Sequence, residues 1–213
     1  MAQRTLTTQD ESPESGDGLG APSHIIQRPR LTKILDETEA RIILLCAPAG
    51  YGKTTLARQW VATRSEPVLW YPGGPAMADV AALAVDLAEL FASGDPALCE
   101  RIRTLVGRGE SPTRLARVLG SAAPHAHGLV VFDDLHYASR GSHELLRSLV
   151  ACSAFRTLAA SRTRPGWIDP RRVMYGEAFV LGSDELALSA EEATAVLPED
   201  EDVRSQAGGW PAL

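Results

Sequence analysis

The stretch Ile42-Ile43-Leu44-Leu45-Cys46-Ala47-Pro48-Ala49-Gly50-Tyr51-Gly52-Lys53-Thr54-Thr55-Leu56 decides the fold. It opens on five consecutive apolar residues, the kind of run found in a parallel strand covered on both faces. A loop with Gly50 and Gly52 follows, and then a pattern of helical period over 54–62. Strand, glycine-bearing loop, Lys-Thr and helix is the setting of the pattern G-x-x-x-x-G-K-[ST]. In that pattern backbone N–H groups curl around phosphates, the lysine reaches the terminal phosphates and the hydroxyl residue ligates Mg²⁺. Here Lys53 takes the cation's place and Thr54 the metal ligand's. Ala47, Pro48, Ala49, Gly50, Tyr51, Gly52 and Thr55 complete the loop, and the helix after it points its positive end at the anion. Ala47 stands where the strict pattern has its first glycine. Tyr51 reads either as a lid over the phosphates or as a packing residue, with packing favoured.

Working outward, short apolar runs recur at 68–71, 129–132 and 157–160, with a weaker one at 178–181. Helical patterns lie between them at 78–91, 97–106, 112–119 and 142–150. Alternating strands and helices imply right-handed crossovers, and so a three-layer α/β fold around a parallel five-stranded sheet. Upstream, Pro29 is placed to open a helix reaching Thr38. Residues 1–24 are rich in Thr, Ser, Gly, Asp and Glu and read as a disordered tail, with order from Ile25. The sheet domain is expected over 25–184. Ser189-Ala190-Glu191-Glu192 then has the form of a helix start, opening a small helical lid over 185–213. The apolar ending Trp210-Pro211-Ala212-Leu213 suggests a piece of a longer protein.

The run Leu129-Val130-Val131-Phe132 ends in Asp133-Asp134. A carboxylate at such a strand end can hold the Mg²⁺ shell beside a phosphate loop, a role that falls to Asp133. Asp134 is then placed to orient or deprotonate an attacking water, although Glu is commoner at such positions and the shorter side chain suits slow hydrolysis. The other reading is a strand capped by a solvated acidic turn. The strand at 68–71 separates the two motifs in sequence. This points to the additional-strand class of P-loop NTPases, in which a further strand lies between the two motif strands.

With 213 residues, 45% hydrophobic and 23% charged, the chain can bury a sizeable core, and the net charge of −6 argues against a nucleic-acid reader. Cys46, Cys99 and Cys152 have neither disulfide parity nor metal-ligand spacing, which fits a reducing cytoplasm. No apolar run resembles a signal peptide or membrane span. His125, His127, His136 and His143 lack the spacing of a metal site and are assigned to loops and caps.

The motifs together resemble the signal-transduction ATPases with numerous domains (STAND), in particular the ATPase domain of MalT-like, LuxR-family transcriptional regulators. The resemblance rests on 47–56, reading APAGYGKTTL with its initial alanine, and on Phe132-Asp133-Asp134-Leu135-His136. Arg28-Pro29-Arg30-Leu31, Ala160-Ser161-Arg162 and Gly209-Trp210-Pro211 follow the same order, so coverage runs from about Arg28 to the end. The resemblance implies that Arg162 senses the terminal phosphate. It also implies that Pro211 touches the adenine from the lid, with residues near Ile26 and Arg28 on the other side of the base. A solvated loop arginine and a helix-breaking proline are the plain alternatives. Trp70-Tyr71-Pro72-Gly73-Gly74 departs from the family in lacking an Asp after the second strand. The family's repeat-rich sensor and DNA-binding helices are not in this sequence, so transcriptional control enters only through a longer parent.

The expected function is an ATP/ADP switch with Mg²⁺ and slow hydrolysis, in which Lys53, Asp134 and Arg162 act on the phosphates. Its partners would be the nucleotide, further domains of the parent protein or a second copy of itself, with neither nucleic acid nor membrane contacted by this segment. The alternatives are a stand-alone P-loop ATPase or small-molecule kinase, and an interaction module with a vestigial site.

Overall fold

A computed structural model describes residues 26–92, 96–123 and 128–196. Five parallel strands form one sheet: β1 (Ile42–Cys46), β2 (Val68–Tyr71), β3 (Leu129–Phe132), β4 (Arg156–Ser161) and β5 (Ala178–Leu181), in the order β2-β3-β4-β1-β5. β4 thus separates β1 from β3, the arrangement expected of the additional-strand class. The longer helices are α1 (Pro29–Glu37), α2 (Lys53–Val61), α3 (Val80–Ala92), α4 (Pro96–Gly107), α5 (Pro112–Ala122) and α6 (Arg140–Cys152). Three short ones follow: α7 (Pro170–Met174), α8 (Ser183–Leu186) and α9 (Ala190–Val196).

Strand side chains alternate between faces, and the alternation creates the three layers. Ile42, Leu44, Val130, Phe132 and Ala159 pack with Leu83, Leu87, Ile102, Leu115 and Leu149 of α3 to α6. Ile43, Leu45, Val131, Leu158 and Ala160 pack on the other face with Leu31 and Leu35 of α1 and Leu56 and Trp60 of α2. Four residues of β1, Ile42 to Leu45, are at most 1% exposed, which explains why this strand carries no polar residue. Each such side chain contributes about 1.5–3 kcal/mol by burial. Trp60 anchors its layer through an indole N–H donated to Asp36 at 2.8 Å.

The connection after β1 crosses to β2 at the far edge over one face, whereas the connection from β3 to β4 returns over the other. Connections that diverge in this way leave a crevice at the carboxyl ends of the strands. The phosphate-type loop, Asp133-Asp134 and Arg162 all sit at those ends.

Several local outcomes differ from the sequence reading. α2 begins one residue earlier, at Lys53, and α6 two residues earlier, because Ser139 Oγ accepts the Ser142 N–H and starts the helix there. α7 was not anticipated, although Asp169 caps it from Oδ1 to the Arg172 N–H and Pro170 occupies its first position. His143 sits within the first turns of α6, not in a loop, and its Nδ1 accepts the Trp167 indole N–H at 3.4 Å. His125 and His127 lie outside the described residues. Among the described residues no helix is long and apolar enough to cross a membrane.

Candidate functional site

Ala47 extends β1 by one step, donating its N–H to Ser161 O at 3.2 Å, and it is 1% exposed. It does not have positive φ, so the strand end places no demand for glycine there. Gly50 (φ 85°) and Gly52 (φ 70°) do have it, and Gly52 is the residue on which α2 starts. The loop thereby folds back over the end of β1 and turns into the helix at Lys53. Lys53 Nζ donates to Ala47 O and Pro48 O, each at 2.7 Å, so the lysine spans the loop from inside. Burial lowers its proton affinity first and the Arg162 charge second, while Asp134 and Asp133 offset part of that. Tyr51 packs against the α1/α2 core, in keeping with a packing role.

Thr54 Oγ1 donates to Asp133 Oδ1 at 3.1 Å, across 79 residues of sequence. Asp133 is 5% exposed, and burial raises its pKa, opposed by the Thr54 hydroxyl and the Asp134 N–H. Asp134 adopts φ 46° and ψ 38°, the one non-glycine residue with positive φ among the described residues. Backbone in this region costs a β-carbon residue about 1 kcal/mol or more. That turn throws the Asp134 side chain into the crevice, where it is 45% exposed, while Asp133 stays on the strand. Gly73, in the segment that lacks the expected Asp, packs its α-carbon against the Asp133 carbonyl; a β-carbon there would lie 2.1 Å from that oxygen.

A cavity of about 420 Å³ collects these groups, a size typical of small-molecule sites. Its lining runs from Ala49, Gly50, Gly52, Lys53, Thr54 and Thr55, with Asp134 and Arg162, to Ile26, Arg28 and Leu188; Ile26 is bonded to Gln59, six residues along α2 from Lys53, which sets this end apart from the loop. Arg162 follows directly on β4 and is exposed. The structure therefore brings together Arg28, Lys53, Thr54, Thr55, Asp134 and Arg162 on one wall system, with Asp133 bonded to it through Thr54. Ala47 and Pro48 contribute through the carbonyls that hold Lys53. Arg28 is 4% exposed, and its guanidinium donates to Leu186 O at 2.8 Å, Ala187 O at 2.7 Å and Glu192 Oε2 at 3.0 Å. Pro211 lies outside the described residues. Sequence reasoning did not find Leu188, Gln59 or the bond from Arg28 to Glu192. His136 also went unassigned to the site; its buried Nδ1 is without a hydrogen-bond partner and stands 3.6 Å from Asp134 Oδ1.

Cations and helix-terminal N–H groups at one end, with hydroxyl and carboxylate oxygens bonded to each other beside them, suit a phosphate chain and a hard cation. On this fold they define a P-loop NTPase of the additional-strand class. The chain belongs to the AAA ATPase domain family, whose model matches residues 27–159. It is thus an ATP-binding P-loop ATPase domain. It is similar in fold to a STAND protein with a tetratricopeptide-repeat sensor from Pyrococcus horikoshii, at TM-score 0.59 and 16% identity, over 94% of this chain and 30% of that one. It is also similar to a Walker-type ATPase of Pyrococcus abyssi, at TM-score 0.51 and 16% identity, over 88% of this chain and 65% of that one.

Proposed function

We propose that this chain is the nucleotide-dependent switch of a larger signal-transduction ATPase, binding Mg²⁺-ATP and hydrolysing it slowly. The observation that carries the reading is the composition of one cavity: phosphate-type groups line it at the loop, and Leu188, on the approach to α9, lines it as well. A ligand spanning both ends contacts the sheet domain and the segment leading into the lid at once. Differential contact of this kind is the physical requirement for a switch, since a ligand that binds both states equally shifts neither.

In this reading Lys53 and the loop N–H groups hold the phosphates, and Thr54 and Asp133 would hold Mg²⁺, which would supply charge neutralisation at the phosphates. Their hydroxyl–carboxylate bond at 3.1 Å supports that pairing. Asp134 orients the attacking water, and Arg162 faces the terminal phosphate. Residues 25–184 act as the nucleotide domain and 185–213 as the start of the lid. We further place the parent protein among MalT-like, LuxR-family regulators, on the motifs at 47–56 and 132–136. Hydrogen exchange over 185–196 tests the switch: protection is expected to differ between a non-hydrolysable ATP analogue and ADP, and identical traces would overturn it.

A further inference from the structure

Ile26 and Leu188, the aliphatic walls of the cavity, lie outside any helix or strand that would fix them. Side-chain bonds do so instead. Gln59 stands on α2 six residues after Lys53 and uses both ends of its amide on the segment 26–28. Its Nε2 donates to Ile26 O at 2.6 Å, and its Oε1 accepts the Arg28 N–H at 3.3 Å. The partners themselves fix which end of the amide points where, because a carbonyl can only accept and a peptide N–H only donate.

Arg28 carries the connection onward. Its guanidinium binds the carbonyls of Leu186 and Ala187 and the carboxylate of Glu192. Glu192 Oε2 also accepts the Ser189 N–H at 2.8 Å, and Ser189 Oγ accepts the Glu192 N–H at 3.2 Å, a reciprocal cap on α9. Leu188 is therefore clamped on both sides, through Ala187 O by Arg28 and through Ser189 N–H by Glu192. The Arg28–Glu192 pair is 4% and 9% exposed, so salt screens it little.

We infer that Gln59 and Arg28 are positioning residues for the nucleoside end of the ligand: together they tie the phosphate-loop helix to the first turn of α9 and set the slot between Ile26 and Leu188. The inference rests on the proposed nucleotide site. The phosphate groups claim the Lys53 end of the cavity, which leaves the aliphatic end for the base. Both hydrogen bonds of the Gln59 amide go to the segment 26–28 and neither to the phosphate loop, so its influence falls on the base and not on the phosphates.

The test compares ATP, ADP and inorganic tripolyphosphate, each with Mg²⁺, by titration calorimetry on the full chain. Gln59→Leu removes both amide bonds at similar volume and is expected to weaken ATP and ADP about tenfold while leaving tripolyphosphate within about twofold. Gln59→Glu keeps an acceptor for the Arg28 N–H but sets a carboxylate against Ile26 O, and is expected to show the same selective loss. In the unsubstituted chain, ATP is expected to slow amide exchange over 188–194, and tripolyphosphate is not. Unchanged ATP affinity in both variants, or parallel loss of ATP and tripolyphosphate, overturns the inference. If the unsubstituted chain binds no nucleotide, the functional reading fails instead, so the two failures are distinguishable.

Discussion

Replacing Gly73 with alanine places a methyl group where the turn after β2 meets the end of β3. The added β-carbon would lie 2.1 Å from the Asp133 carbonyl oxygen, 2.9 Å from its carbon and 3.2 Å from Asp134 Cβ. Gly73 also has φ +71°, so alanine meets a conformational cost as well as a collision. The first term is about 1–2 kcal/mol. The second requires the Asp133 carbonyl, which is backbone and not a flexible side-chain tip, to retreat by roughly 1 Å, at a cost of about 1–3 kcal/mol. Gly109 provides the control, with φ +68° and no atom within 4 Å of its added β-carbon. Gly109→Ala bears the conformational term alone, and the effect of alanine on the unfolded chain is common to both variants. At about 2–4 °C per kcal/mol for a domain of this size, Gly73→Ala should melt roughly 2–12 °C below Gly109→Ala. Mg²⁺-dependent ATP binding should weaken only in the former, because the displaced carbonyl belongs to the residue that meets Thr54. Thermal melts followed by circular dichroism decide the matter. Melting temperatures within about 1 °C of each other, the resolution of such melts, would refute the steric argument.

Lys53→Ala should weaken ATP and tripolyphosphate alike by about 100-fold, the loss of charge-assisted bonds to phosphate, as read by calorimetry; unchanged affinity would remove the site from this loop. Asp134→Gly relieves the φ 46° backbone and the repulsion from Asp133. Its melting temperature should rise by about 1–3 °C while single-turnover hydrolysis falls at least about tenfold, with ATP affinity little changed. For His143, burial lowers the pKa, and the Trp167 indole needs its Nδ1 unprotonated. A histidine with a depressed folded pKa contributes stability that is full above its unfolded pKa of about 6.5 and is lost as pH falls through the lower folded value. The melting temperature should therefore drop on acidification from neutrality, and less so in His143→Gln; equal slopes for the two proteins would dismiss the role.

The features legible in the sequence were those set by neighbouring residues. Ile42–Cys46 and Leu129–Phe132 match the apolar runs at both ends because a strand covered on two faces admits no polar position. Ser189 and Glu192 could be recognised as a helix start because both partners of that cap lie within four residues. The phosphate-type loop was recognisable despite Ala47, since strand, turn and helix are contiguous. The αL turn at Asp134 left no mark, because Asp-Asp is equally at home in ordinary turns.

Arg28 shows where that reach ends and what lies beyond it. Resemblance put this residue beside the base, and it does line the cavity, yet its guanidinium bonds to groups 158 to 164 residues away. No periodicity records such a separation, and any of the neighbouring arginines could have been paired with any acidic residue on charge alone. What selects Arg28 is the topology. β5 lies against β1 at the edge of the sheet and delivers α8 and α9 beside the start of α1, so the chain that enters the sheet domain meets the chain that leaves it at the cavity's aliphatic end. A buried pair at that meeting point is costly to break one partner at a time, by about 3–5 kcal/mol. Hydrogen bonds to the carbonyls of Leu186 and Ala187 make its geometry specific. The cavity wall at Leu188 is consequently not a passive surface: any ligand that shifts it must act against Arg28, and any movement of α9 must carry Leu188 with it.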